Sequence, residues 1–360
     1  MINLDESSQQ TSGFTKPKKA VEVIAMEMIT AVGGNVMQTA AAVRAGINAY
    51  QASNIYNKQF NPMTLALVPD EALPPLDDEI AKLPGLTSRQ KRMLQLVTPP
   101  LQQLLATQPL QNAVPLMLAG PEKIPGRHSV VSDQFLAQLK QQTGAAIDLK
   151  NSYLFPYGRA AGFHAIEAAM QIIEQGISHV VIVGAVDSYL DLYLLNSLDS
   201  EDRVLAEGIM NGFAPAEGAA FMIVQAATDD SRIRLYPPGI SDEMGHRYSG
   251  EVYKGDGLSE AVTEALSPLA GKQVKTVLAG FNGEHFNAKE WGVSVVRNRQ
   301  GIASEYGVVH PADSLGDAGA ALGLILVQLG VVGLERGYYQ EPVMAWSSSE
   351  FSPRGAICIG

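Results

Sequence analysis

A chain of 360 residues that is 46% hydrophobic and only 18% charged can bury a thick core, and is too apolar for a disordered or fibrous protein. Its net charge is −11, and its longest basic run is the short Lys16-Pro17-Lys18-Lys19, which argues against nucleic acid as a partner. The single cysteine, Cys358, excludes an intrachain disulfide and points to a reducing, cytoplasmic setting; in the apolar stretch 356–359 it reads as a buried structural thiol.

Residues 1–19 are polar, lack an apolar leader stretch and read as a loose tail. Residues 21–28 predict a strand that turns at Gly33-Gly34 into a helix over 36–45, stopped by Gly46. From 50 to 84 the chain is rich in proline and loop residues, and about 50–110 is expected as an insertion. Thr87 or Ser88 caps a helix that Pro99-Pro100 should interrupt. A strand at 114–118 and a short helix at 135–143 follow.

Next comes Tyr157-Gly158-Arg159-Ala160-Ala161-Gly162, heading a helix of small residues. Ala161, Ala165, Ala168, Ala169, Ile172 and Ile173 recur at spacings of three and four, and Gly176 supplies the stop. A strand at 180–183 then ends in Gly184, and residues 188–204 mix apolar and acidic residues in the manner of a lid or a partner contact. A further strand is expected at 220–224 and a polar boundary at 228–234.

The second half repeats this order, with a helix at 258–269, a strand at 274–279, the polar turn Asn282-Gly283-Glu284-His285 and an apolar helix after Asp317. That last run, 318–334, contains Gln328 and four glycines and falls short of the roughly 20 residues of a membrane span, so it reads as a core helix. Strands at 343–345 and 356–359 close the chain. The alternation implies an α/β fold of two similar βαβαβ-type halves, 20–230 and 231–360.

Several stretches together resemble the β-ketoacyl synthase branch of the thiolase-like superfamily. They are the opening strand with Thr30-Ala31-Val32-Gly33 and Arg44-Ala45-Gly46, the strand after Gly176, the segment Gly212-Phe213-Ala214-Pro215-Ala216-Glu217-Gly218-Ala219, and Leu315-Gly316-Asp317-Ala318-Gly319-Ala320, which is similar to the family's LGAAGA helix start. The resemblance implies a thiolase-like fold in αβαβα layers, and a dimer.

It also implies positions for a catalytic Cys-His-His set, and here the sequence departs. Counting back from Gly176, the nucleophile position holds Arg159; the histidine positions fall at Phe281 or Asn282 and near Asp313. Arginine has no nucleophilic lone pair at neutral pH, so it cannot hold an acyl chain. The family's glycine-rich C-terminal loop corresponds to 350–355 and keeps Phe351.

Arg159, His164, Glu284, His285, His310, Asp313 and Phe351 form the candidate relic pocket. Two readings of it stand open. Arg159 at a helix N-terminus can greet an anion, or it can pair with Asp313 or Glu284 and seal the pocket. Glu217 reads as structural, ordering neighbouring loops through hydrogen bonds. No metal-binding spacing, G-x-S-x-G elbow, phosphate loop or dinucleotide fingerprint occurs, so no metal or cofactor is expected.

The expected function is a catalytically degenerate ketosynthase-like protein serving as a binding or assembly partner, as chain-length-factor subunits do. It would act as a homodimer, or as a heterodimer beside an active homologue, with acyl carrier protein or acyl-CoA as the ligands the resemblance implies. The alternative is an enzyme of the acyltransferase or 3-oxoacyl-synthase kind, a decarboxylase or a hydrolase. Such an enzyme would handle acyl thioesters without a covalent cysteine intermediate, with His285 or His310 as general base.

Overall fold

The computed structural model describes residues 16–17 and 19–360, so most of the expected 1–19 tail lies outside the described residues. In chain order the elements are β1 (Val21–Thr30), α1 (Val36–Ala45), β2 (Gln51–Tyr56), β3 (Pro62–Leu65), α2 (Asp78–Ala81), α3 (Ser88–Thr107), β4 (Leu116–Ala119), α4 (Asp133–Thr143), β5 (Tyr153–Phe155), α5 (Ala161–Glu174) and β6 (Val180–Ser188). They continue with α6 (Leu192–Ser200), β7 (Glu217–Ala226), β8 (Gly239–Asp242), α7 (Asp256–Leu266), β9 (Val274–Ala279), α8 (His285–Arg297), β10 (Ile302–Val309), α9 (Ala312–Leu315), α10 (Leu322–Glu335), β11 (Val343–Ser348) and β12 (Pro353–Ile359).

Two five-stranded sheets carry the fold, in the orders β1-β7-β6-β4-β5 and β8-β12-β11-β9-β10. The second order is the first repeated strand for strand. The senses repeat as well: β4 runs parallel to β5 and β6 as β9 does to β10 and β11, and β7 and β12 are antiparallel to both neighbours. Helices α5 and α10 each touch strands of both sheets, while α3 lies outside the first sheet and α7 outside the second. The layers are therefore αβαβα.

The two central helices cross at their first turns. Each follows a single 3-10 turn, Gly158-Arg159-Ala160 before α5 and Gly319-Ala320-Ala321 before α10, and the first glycine of each turn has positive φ, +68° and +56°. Gly162 and Gly323 then bring backbones together. A Cβ on Gly162 would lie 3.0 Å from Leu324 N, and one on Gly323 would lie 2.8 Å from Arg159 O. Each half also finishes the other's helix: Ala320 N–H donates to Asp187 at the end of β6 (2.9 Å), and Ala160 N–H donates to Ser349 just past β11 (3.0 Å).

Two expectations need correction. Helix α3 does not break at Pro99-Pro100 but runs on through both prolines. Leu94, Leu96, Val97, Leu101 and Leu104 on this helix are fully buried, at about 2 kcal/mol each. That outweighs the roughly 3 kcal/mol that an interior proline costs. The helix belongs to the outer layer, packed on β1, β6 and β7.

Strand β6 likewise does not end at Gly184. That glycine pairs in register with Phe221, and a Cβ on it would come within 2.4 Å of the ring, so it is there to seat the phenyl group. The 188–204 segment contains α6, capped by the Asp191 carboxylate, which accepts from Leu194 N–H (2.9 Å). Cys358 is fully buried in β12, where burial pushes its thiol pKa up. Among the described residues no helix is long and apolar enough to cross a membrane.

Candidate functional site

The N-terminal turn of α5 places Arg159 where the two halves meet, and its side chain is 4% exposed. Its Nε donates to both oxygens of Asp317, at 3.0 and 2.8 Å. Nη1 donates to Glu350 (2.7 Å) and Nη2 to Tyr189 Oη (3.1 Å). Asp317 precedes the α10 turn and also accepts from Gly319 N–H (3.0 Å), so it both caps that turn and neutralises Arg159.

A second arginine continues the network. Arg203 grips Glu284 through Nε and Nη2, both at 2.7 Å, and reaches Glu350 (2.8 Å) and Tyr248 Oη (2.7 Å). Arg247 lies 3.0 Å from Glu284 and 3.5 Å from Glu350. Asn282 ties the two ends together, donating to Glu284 (3.0 Å) and Asp317 (2.9 Å). The Phe213 ring lies 5.7 Å from the Arg159 guanidinium and 5.5 Å from that of Arg203. Three guanidinium groups thus face Asp317, Glu284 and Glu350 in a largely buried cluster, with Glu201 3.8 Å from Arg203 at its exposed edge.

Burial alone would raise the Glu350 carboxyl, but Arg159, Arg203 and Arg247 hold it well below the usual carboxylate range. Burial would lower Arg159, and Asp317, Tyr189 and Glu350 instead raise it further. A depressed carboxylate contributes stability that is present above its unfolded value near 4.5 and is lost as pH falls toward its folded value. The urea midpoint of the protein is therefore expected to fall on acidification below about pH 4.5, and a Glu350→Gln variant should show a shallower fall.

Beside Arg159 opens a cavity of about 430 Å³. Glu122, Asp187, Tyr189, Arg203, Tyr248, Glu350 and Phe351 line it, with Leu194 and Leu198 from α6. Glu284 lies behind this wall, joined to it through Arg203. The expected set is only partly assembled here, because five of its seven members, Glu284 among them, are not cavity-lining residues.

Asp313 is exposed in α9 and is not the partner of Arg159; that role falls to Asp317, four residues on. His310 is exposed at the end of β10 and stacks on Phe281 at 5.0 Å. His285 opens α8 with its ring exposed and its N–H held by Asn211 (2.8 Å). His164 packs 4.7 Å from the Tyr157 ring, and burial pushes its imidazole down to about 4, so it stays neutral. Glu217 is fully buried and binds Val68 N–H, Ser188 Oγ and Arg92, which fastens three segments.

Sequence reasoning missed Arg203, Arg247, Glu350 and the role of Asp317. One signal was present: the aspartate that replaces an alanine in the LGAAGA-like segment is the countercharge for the arginine that replaces the nucleophile. Arg203, Arg247 and Glu350 sit on loops with no periodic pattern to flag them. Among the described residues no group of three or more His, Cys, Asp or Glu is placed to hold a metal ion.

No protein-family model matches the sequence, and no curated protein does either. Solved structures do match. One is a ketosynthase in complex with its chain length factor from Xenorhabdus doucetiae, with a TM-score of 0.73 and 15% identity, covering 95% of this chain and 98% of that one. The ishigamide ketosynthase/chain length factor gives 0.74 and 14%, covering 95% and 99%. A ketosynthase from module 6 of the bacillaene synthase of Bacillus subtilis 168 gives 0.69 and 13%, covering 94% and 72%. With its duplicated sheets, paired central helices and this set of neighbours, the chain has the thiolase-like fold of the ketosynthases.

Proposed function

We propose that this protein is a ketosynthase-like chain without condensing activity, which works as a binding or assembly partner of a ketosynthase-like protein. The carrying observation is Arg159. It stands at the turn where the resemblance puts a nucleophile, and its hydrogen bonds go to Asp317, Glu350 and Tyr189. Condensation needs a thiolate for the acyl group and donors for the developing oxyanion. Here the corresponding space holds matched charges whose hydrogen bonds are already made.

The neighbours described as complexes of a ketosynthase with a chain length factor favour the partner role over a solitary one. β5 ends the first sheet immediately before the Arg159 turn, so a strand added there by a second chain would lie against the site. The reading with His285 or His310 as general base has no geometric support, since both rings are exposed outside the cavity.

Incubation with acyl-CoA or acylated carrier protein, followed by intact mass measurement, is expected to show no covalent adduct. Stable acylation at any residue would overturn the proposal. Purification from the native source is expected to bring down a ketosynthase-like chain in equal amount, and recovery of this chain by itself would count against the partner role.

A further inference from the structure

The arginines around the cavity are engaged unequally. Arg159 and Arg203 spend all their side-chain nitrogens on protein oxygens. Arg89, in the first turn of α3, is buried as well, with 9% of its surface exposed. Yet among the described residues it makes one hydrogen bond, from Nη2 to Asp187 (2.7 Å), and its buried Nε has no partner. A guanidinium carries five N–H donors, and leaving them unpaired away from water costs free energy. Arg89 lines the cavity, so a ligand there can supply acceptors that the protein does not.

The acids of the same wall are already committed elsewhere. Asp187 accepts from Ser188 N–H (2.7 Å) and Ala320 N–H (2.9 Å) besides Arg89. Glu122 accepts from the N–H groups of Glu350 (2.9 Å) and Phe351 (3.0 Å), and the Glu350 carboxylate holds Arg159 and Arg203. Glu201 accepts from Tyr248 Oη (2.9 Å) at the exposed edge. Donors are therefore in excess at Arg89 inside the cavity and at Arg127 on its rim. Arg127 is exposed, lies 4.1 Å over the Tyr193 ring and pairs with no carboxylate among the described residues. Beside these two arginines the wall is apolar, with Ile124 and Pro125 on the loop before α4 and Leu194 and Leu198 on α6.

We propose that this cavity is a noncovalent binding site for a free carboxylic acid with an apolar chain, whose carboxylate is held by Arg89.

A carboxylate fits the guanidinium fork with charge-assisted hydrogen bonds, which an alcohol or ester oxygen does not equal. The chain covers the leucines of α6 and removes their surface from water. The volume of about 430 Å³ lies within the range of small-molecule pockets, roughly 300–1,000 Å³. No bond to the protein forms, so the site needs no nucleophile. It goes beyond the partner role and stands whether or not a ketosynthase-like partner is found.

Octanoate is the probe, since it is ionised at neutral pH and joins one carboxylate to an unbranched chain. Equilibrium dialysis of labelled octanoate against the whole protein should show saturable binding at one site. Octanol, which keeps the chain and drops the charge, should compete at least about tenfold less well than unlabelled octanoate. Arg89→Gln should weaken binding about tenfold or more, and Arg127→Gln on the rim should weaken it less. Because Arg89→Gln also removes the cation from Asp187 and can unfold the chain, Ser197→Phe gives a second route. Ser197 lines the cavity from a half-buried position on α6, so phenylalanine there should block the site while the urea midpoint is kept. Absence of saturable octanoate binding in the wild-type protein would overturn the proposal. So would competition by octanol equal to that by octanoate, unchanged affinity in Ser197→Phe or in folded Arg89→Gln, or a larger loss in Arg127→Gln than in Arg89→Gln.

Discussion

Replacing Arg159 with leucine is expected to cost about 3–5 kcal/mol of unfolding free energy, read as a drop in the urea midpoint with little change in slope. The loss comes less from the arginine than from what it leaves behind. Asp317 is fully buried, and with Arg159 gone it would keep only N–H donors from Asn282 and Gly319 against a full negative charge. Glu350 would retain Arg203 and Arg247 and suffer less. The double variant Arg159→Leu with Asp317→Leu should recover part of the loss, because it removes the stranded charge together with its partner. A cost below about 1 kcal/mol for the single change would place the pair in the range of exposed ion pairs, and so contradict its burial.

Arg354→Met should be comparably damaging, at about 3–5 kcal/mol by the same measurement. Arg354 and Glu290 are both fully buried, and Arg354 Nε donates to Glu290 at 2.9 Å. Its Nη1 also donates to the carbonyl oxygens of Ser349, Phe351, Ser352 and Pro353, so the guanidinium gathers the loop that Glu122 holds by its N–H groups. Methionine fills much of the volume yet leaves the buried Glu290 carboxyl without its cation and those carbonyls without their donor. Glu290→Gln keeps an acceptor for Nε and should cost less than the arginine change.

Much of the fold was legible because it is written in small residues and glycines with a mechanical reason. Gly158, Gly162, Gly319 and Gly323 mark two helices that start alike and cross closely, and the sequence shows them as two short glycine-bounded clusters. The proline pair in α3 and Gly184 in β6 misled for one shared reason. Each has a local preference that burial against a neighbouring element overrode.

At the site, Arg159 was legible as a residue unable to do the expected chemistry, but its partners were not. Charge complementarity is a property of three-dimensional neighbours. Asp313 sits exposed in the short α9, whereas Asp317 lies past Gly316, whose positive φ ends that helix, and bridges to Pro215; the polar spacing of the segment did not resolve this change of direction. Histidines were overvalued because their chemistry is versatile wherever they fall, whereas His285 and His310 are set by the ends of α8 and β10 and point away.

The exchanged caps, Asp187 finishing the turn before α10 and Ser349 finishing the turn before α5, bear on how the molecule can be divided. A cut in the 227–234 connection would leave two fragments of near-identical topology. Each would hold a sheet, and each would lack the capping oxygen that the other half supplies to its central helix. Duplication here has produced mutual dependence instead of two independent units, so neither fragment carries a complete interior of its own.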